Sequence, residues 1–562
     1  MALDETSVLW KAGFCCKLYW KIIFALVWPL ILLPFVIVDN FSKESKCGYV
    51  VLIMAGYWVT ECLPLGVTAL LPLVLFPCLG VLSSDDTCAC YANDVIMVFL
   101  GGLILAIAIE HSNLHMRIAL KVIRIVGCSH KRLLGGLLVV TTFLSMWITN
   151  TAATAMMVPI IFAVLGELER EGLGKVFVDT QNPESGSSEV RPTKVTTAYL
   201  MGAAYAASFG GTATLVGTGT NLVFKGIFEK TFACGPKIGF GQWMLYGVPL
   251  AYTNALMTWV YVLVLYFGMF RPNSRDAQDA AIGTEGEIVA NRIIKERYDN
   301  LGKMTSHELG VAAMFVSAVF LWLARDPGFM PGWAELVSGV EILDSAPIIF
   351  VALLMFFIPK DLNFLNMWSN DESKRPKSSS EGLITWKVIQ AKMPWSLMFL
   401  LGGGFAMSKA ITKSGLALKV GNAMTPLENL PPWLILVFVN VIVGTITEIM
   451  SNVGMANIML PILASMSVSV KINPLFIMVP ATMMCSHTFR FPAGTPPNAI
   501  ITVTGHVPVK RLILGGCGPS IYSLLLVSLS FPFLGAYVFE IHEFPSWAVI
   551  SDNGTILDCN NQ

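Results

Sequence analysis

Two stretches of the chain set a hydroxyl residue beside an asparagine in apolar surroundings: Thr149-Asn150-Thr151 and Ser451-Asn452-Val453. Asparagine brings a donor and an acceptor, and the hydroxyl either one, so such a pair can hold a carboxylate or lend oxygens to a small hard cation such as sodium. Each pair lies inside roughly thirty mostly apolar residues, where an unsatisfied polar group costs several kcal/mol. The likeness extends outward: the pattern from Ser145 to Pro159-Ile160 returns 302 positions later, from Thr447 to Pro461-Ile462. Matched polar groups at equivalent points of two halves point to one binding site built between internal repeats, as secondary transporters build theirs.

A second pair of motifs follows the first. Gly217-Thr218-Gly219-Thr220-Asn221 pairs with Gly494-Thr495-Pro496-Pro497-Asn498. Glycine and proline inside an apolar span unwind the helix and free backbone groups for protein, water or ligand. The helix N-termini so exposed suit a carboxylate, while C-terminal ends and hydroxyl or amide oxygens suit a cation. Upstream, Gly101-Gly102 matches Gly403-Gly404, and Ser112 and Leu114 match Ser414 and Leu416. Any one of these residues alone would read as helix packing, where small residues are common; the matched order of the clusters argues for a site.

The elements that must carry these motifs lie in a membrane. Of 562 residues 55% are hydrophobic and 13% charged, against about 25% charged in soluble domains. Acidic and basic residues balance at 37 each, which gives no sign of a nucleic-acid partner. The expected fold is an all-α membrane protein with about eleven transmembrane helices and two re-entrant hairpins. Spans are expected at 20–38, 48–64, 66–82, 94–110, 196–228, 243–268, 308–325, 346–359, 394–411, 473–504 and 511–538. Blocks 133–165 and 433–465 would each run to about 50 Å as one helix, too long for a core of about 30 Å. They are therefore read as hairpins with the motif at the tip. This count keeps the basic residues between Arg271 and Lys303 in the cytoplasm, as positive charge prefers. The N-terminus is then cytoplasmic and the C-terminus extracellular, with Asn553 as a glycosylation acceptor in the tail.

The resulting division is a first segment and span over 1–47, an inverted repeat over 48–270, a cytoplasmic loop over 271–305, the second repeat over 306–540 and a tail over 541–562. The loops 167–195, 271–305 and 360–393 read as polar connectors, and His111 to Arg132 as an interfacial helix. Cys47, Cys88 and Cys90 fall on one predicted side, so a disulfide among them and free thiols are both open.

The paired Ser/Thr-Asn motifs, the Gly-Thr-Gly-x-Asn of 217–221 and the Ala-Gly-Thr-Pro-Pro-Asn of 493–498 resemble the divalent anion:sodium symporter family of citrate and dicarboxylate carriers. That resemblance covers nearly the whole chain. It implies a homodimer in the plasma membrane whose transport domain moves past a fixed scaffold, in the manner of an elevator. It implies that citrate or a dicarboxylate is bound by Thr149, Asn150, Thr151, Ser451, Asn452, Val453, Gly219, Thr495 and Pro496. It further implies a cation, sodium or a proton, near Thr149, Asn150, Thr218, Ser451, Asn452 and Thr495, with no other cofactor.

Two departures from the family pattern bear on coupling. Val453 stands where the family has a hydroxyl, and Cys485-Ser-His487-Thr-Phe-Arg490 replaces a more apolar stretch. An arginine at membrane depth needs a partner. Arg490 either pairs with a buried acid such as Glu448, or its charge stands in for sodium or meets a substrate carboxylate. His487 could take a proton near physiological pH. The expectation is a carrier with weak or no sodium dependence, working by exchange or with protons; strict sodium coupling, to carboxylate or sulfate, is the alternative. A membrane enzyme is the rival class, and no Ser-His-Asp, His-Glu-x-x-His or Walker pattern supports it.

Overall fold

The computed structural model describes residues 8–548 apart from 128, 173–174, 182–187, 272, 275–282, 326–330, 338–339, 341, 369–370, 372–374 and 542. Asn553 lies outside the described residues. Among the described residues helices dominate, and eight are long and apolar enough to cross a membrane. Among the described residues the one sheet is an antiparallel pair, Phe177–Gln181 with Ser188–Pro192. In lipid a helix satisfies its own backbone groups, so interest falls on the places where helices stop.

They stop at the motifs. The first long block forms two arms, His130–Ser145 and Asn150–Arg170, which pack on each other. The second forms Pro432–Ile446, a 3₁₀ turn Thr447–Ile449, and Asn452–Ser469. Lys194–Thr212 and Gly219–Thr231 make up the first broken helix, Pro474–Ser486 and Pro496–Val503 the second. Pro496 and Pro497 open the last of these, where a missing N–H removes no helical bond.

The repeat is visible in backbone detail. Asn113 and Gly415, 302 apart, both take the left-handed conformation, with φ of 60° and 83°. Just before them, Ser112 donates to Ile109 O at 3.2 Å and Ser414 to Ile411 O at 3.3 Å. Each turn ends a glycine-rich helix and opens an amphipathic one, Leu114–Val126 or Leu416–Met424. The two repeats interlock: the second arm of each hairpin packs on the second half of the other repeat's broken helix.

The connectors carry more structure than their polarity suggests. Gly283–Asn300 is a helix whose Ala290, Ile293 and Ile294 are buried. This i, i+3, i+4 stripe seats it against Leu114–Val126 and the second arm of the first hairpin. Arg117 of the amphipathic helix is also tied inward, to Glu308 at 3.0 Å and to the carbonyls of Leu301, Gly302 and Lys303. Cys47, Cys88 and Cys90 are free thiols, so the disulfide among them does not form. Cys234, by contrast, is disulfide-bonded.

One ion cluster is nearly sealed. Lys225, 3% exposed, meets Glu229 at 3.0 Å and Asp344 at 3.1 Å, and Asp344 meets Arg325 at 2.8 Å. Lys225 also donates to Ile238 O at 2.7 Å. The cluster joins the end of the first broken helix to the start of the helix Ser345–Phe357.

Candidate functional site

The two hairpin tips and the two helix breaks lie together. At the first tip Ser145 Oγ stands 2.7 Å from Ala207 O, in the first broken helix, and 2.8 Å from Asn150 Oδ1. A Cβ added at Gly211 would run into Asn150 Oδ1, so this approach requires glycine. At the second tip Thr447 donates to Cys485 O at 2.7 Å. The Asn452 amide, oriented to satisfy its hydrogen bonds, donates to Cys485 O and Gly494 O at 3.1 Å each. Each tip is thus stitched to the break of its own repeat.

The breaks are held open alike. Asn221 donates to the carbonyls of Gly211 and Thr214 at 3.2 and 2.7 Å. Asn498 donates to those of Thr488 and Phe491 at 3.4 and 3.1 Å. All three positions of each set are 277 apart, so both copies satisfy their freed backbone with one device. Two contacts then join the halves. Thr220 and Ser486 hydroxyls lie 2.6 Å apart, and Gly219 abuts Val453, whose Cγ2 would stand 3.0 Å from a Cβ at 219.

Four helices begin here: at Asn150, Gly219, Asn452 and Pro496. The first three offer N-terminal N–H groups and all four point a dipole here, the fourth opening with Pro496-Pro497 and so lacking the donors; the region favours negative charge. Thr149 caps the first, accepting from Ala152 N at 3.3 Å. Thr218, Ser451 and Thr495 stand at the other three cap positions, and their side chains make no cap bond. Those three hydroxyls are not committed to their own helices. Thr151 and Pro496 are exposed, while Val453 and Thr495 are buried. Val453 packs against Gly219 at the seam between the repeats.

Arg490 takes the buried-acid partner. Its Nε lies 3.0 Å from Glu448 Oε1, and its own amide donates to Glu448 Oε2 at 2.9 Å. Glu448 also accepts from Phe489 N at 3.1 Å and Ser520 Oγ at 3.2 Å. The arginine's charge is matched within the protein. His487, 1% exposed, sits between the rings of Phe209 and Phe489, at 5.1 and 6.0 Å, with no hydrogen-bond partner at either nitrogen among the described residues. It is sealed from solvent in this conformation, an environment that disfavours charge. Sequence reasoning gave no role to Ser486 or Ser520: Ser486 is the single serine of its apolar helix and Ser520 one of several in its own, and only the fold shows what each meets.

Comparison with known proteins places the chain among membrane transporters. The family profile described as "Sodium:sulfate symporter transmembrane region" matches residues 16–536. The chain is 41% identical over 541 residues to "Protein I'm not dead yet" of Drosophila melanogaster, covering 95% of this chain and 92% of that one. It is 37% identical over 571 residues to the Na(+)/dicarboxylate cotransporter 3 of Rattus norvegicus, covering 94% of each. It is also 37% identical over 565 residues to the rat Na(+)/citrate cotransporter, covering 94% of this chain and 96% of that relative.

Proposed function

Because the chain belongs to the sodium:sulfate symporter family of membrane transporters, we propose that it is a secondary carrier of citrate and related di- and tricarboxylates. The observation that carries this reading is the meeting of four helix N-termini with three uncommitted cap hydroxyls, Thr218, Ser451 and Thr495. Carboxylate oxygens would sit against the N–H groups of Asn150, Gly219 and Asn452, and near the positive dipole end of the helix that Pro496 opens, with Thr149 and Thr151 at the first tip. Citrate is mostly trivalent at neutral pH, and burying that charge without compensation is prohibitive. Helix ends supply part of the compensation at no ionic cost.

In this reading the tips and breaks travel together as a transport domain past the remaining helices, in an elevator-type cycle within a homodimer of the plasma membrane. The names of the relatives support the carboxylate substrates. At Arg490 the chain carries a permanent cation beside the second break, and Glu448 neutralises it, so the pair adds no net charge to offset a bound anion. In this reading dependence on sodium is weak, with exchange or protons driving transport, and its support is the hydroxyl lost at Val453 rather than the charge of Arg490. A second reading, strict sodium coupling, draws on the sodium cotransporters among the relatives and on the same free hydroxyl oxygens.

The test is uptake of labelled citrate and succinate into proteoliposomes, with sodium, pH and internal anion varied separately. Saturable uptake that persists in choline and accelerates with internal citrate is expected. A steep, saturable sodium requirement would select the second reading, and uptake of neither anion would remove the carboxylate assignment.

A further inference from the structure

One contact changes character between the two halves of the site. Met146 and Glu448 are 302 apart, the register that also matches Ser145 to Thr447 and Asn150 to Asn452. Ala213 and Arg490 are 277 apart, the register of the Asn221 and Asn498 hydrogen bonds. In the first half Met146 and Ala213 pack together with Ala251, from the helix that follows, in a small apolar cluster. In the second half the same two places hold the Glu448–Arg490 ion pair, and the helix that follows supplies Ser520.

The fold can be closed here by methyl groups, since the first half does so. A buried ion pair adds little net stability over well-packed apolar residues of similar size. It adds geometry instead. Glu448 is 1% exposed and reaches Phe489 N, Arg490 N, Arg490 Nε and Ser520 Oγ together. Those donors come from the second break and from the helix Val509–Ser530, while the carboxylate comes from the tip. All four bonds form only when tip, break and helix hold one arrangement.

We propose that Glu448, Arg490 and Ser520 form an ionic clamp that positions the second hairpin tip over the second break. The clamp pre-assembles the Ser451–Asn452 half of the anion site without a bound cation. They are positioning residues, acting through Ser451 and Asn452 rather than touching the anion. The first half lacks such a clamp, so any cation that orders the site acts at Thr149 and Asn150. The inference rests on the carrier reading above and refines it.

The variant Glu448→Met/Arg490→Ala gives the second half the residues of the first, so it keeps a packing solution this fold already uses. Two measurements follow on the purified full chain: amide exchange at 447–453 against 145–151, and citrate uptake per carrier in proteoliposomes. The expected result is about tenfold faster exchange at the second tip only, with the KM for citrate raised about tenfold. Unchanged exchange at 447–453, or wild-type KM, overturns the clamp. Should the double variant not fold, Ser520→Ala removes one donor alone and is expected to speed exchange at 447–453 several-fold; no change there overturns it equally. Failure of the wild-type chain to take up citrate or succinate removes the carrier reading, while the exchange comparison, which needs no substrate, still decides the clamp.

Discussion

Asn150 and Asn452 stand at matched positions but take different partners. Asn150 accepts from Ser145 and is pressed against Gly211, whereas Asn452 donates to two carbonyls of its own break. Both begin a helix at the site, so Asn150→Ala or Asn452→Ala is expected to abolish saturable citrate uptake while the protein still reaches the membrane. Uptake by both variants at the wild-type rate would place the site elsewhere. Gly211→Ala is expected to displace Asn150 and cut uptake by at least about tenfold, since an added methyl would collide first with the asparagine amide. These residues were legible in the sequence because a polar group deep in an apolar block is costly, and its recurrence 302 residues later excludes accident. The partner of Arg490 was legible only as one of two options. Spacing could name Glu448 as near, but not show that the carboxylate also gathers two backbone amides and a serine from a distant helix.

At the scale of elements, the amphipathic helix Leu114–Val126 is held by one buried arginine and one buried histidine. Arg117 is bound by Glu308 and three carbonyls, so Arg117→Ala strands a buried carboxylate and is expected to destabilise the protein by about 3 kcal/mol, read as a lower Tm in detergent. An unchanged Tm would show the helix to be held by its apolar face alone. Burial holds His115 below the usual histidine range, its Nδ1 lying 3.0 Å from Ile109 O. A depressed pKa means the neutral ring is favoured by folding. The stability it contributes is present above the unfolded value of about 6.5 and is lost as pH falls below it. His115→Gln should flatten the fall in Tm between about pH 7 and pH 5; an identical fall in both proteins counts against the assignment. The helix itself was readable from basic residues on an apolar ground. The helix Gly283–Asn300 was not, because its buried stripe is only three residues deep in a polar segment.

For the whole molecule, the interlocked repeats imply two-sided access. Cysteines placed at exposed Lys131 and Arg170, the outer ends of the first hairpin, should both react from the cytoplasm. Cysteines at Trp433 and Lys471, the ends of the second, should both react from outside. Reaction of Lys131→Cys and Arg170→Cys from opposite faces would end the inverted-repeat scheme. The architecture could be read this far because block length and charge parity constrain each other. The Lys225 cluster could not: a lysine, two acids and an arginine spread over 120 residues carry no periodic signal. It nevertheless binds two stretches of chain into a single arithmetic. With two cations and two anions largely withdrawn from water, losing one leaves an odd charge, whereas losing an opposite-sign couple does not. Descendants of this sequence should therefore vary at Lys225, Glu229, Arg325 and Asp344 in tandem, and an alignment in which these columns drift independently would show that water reaches them after all.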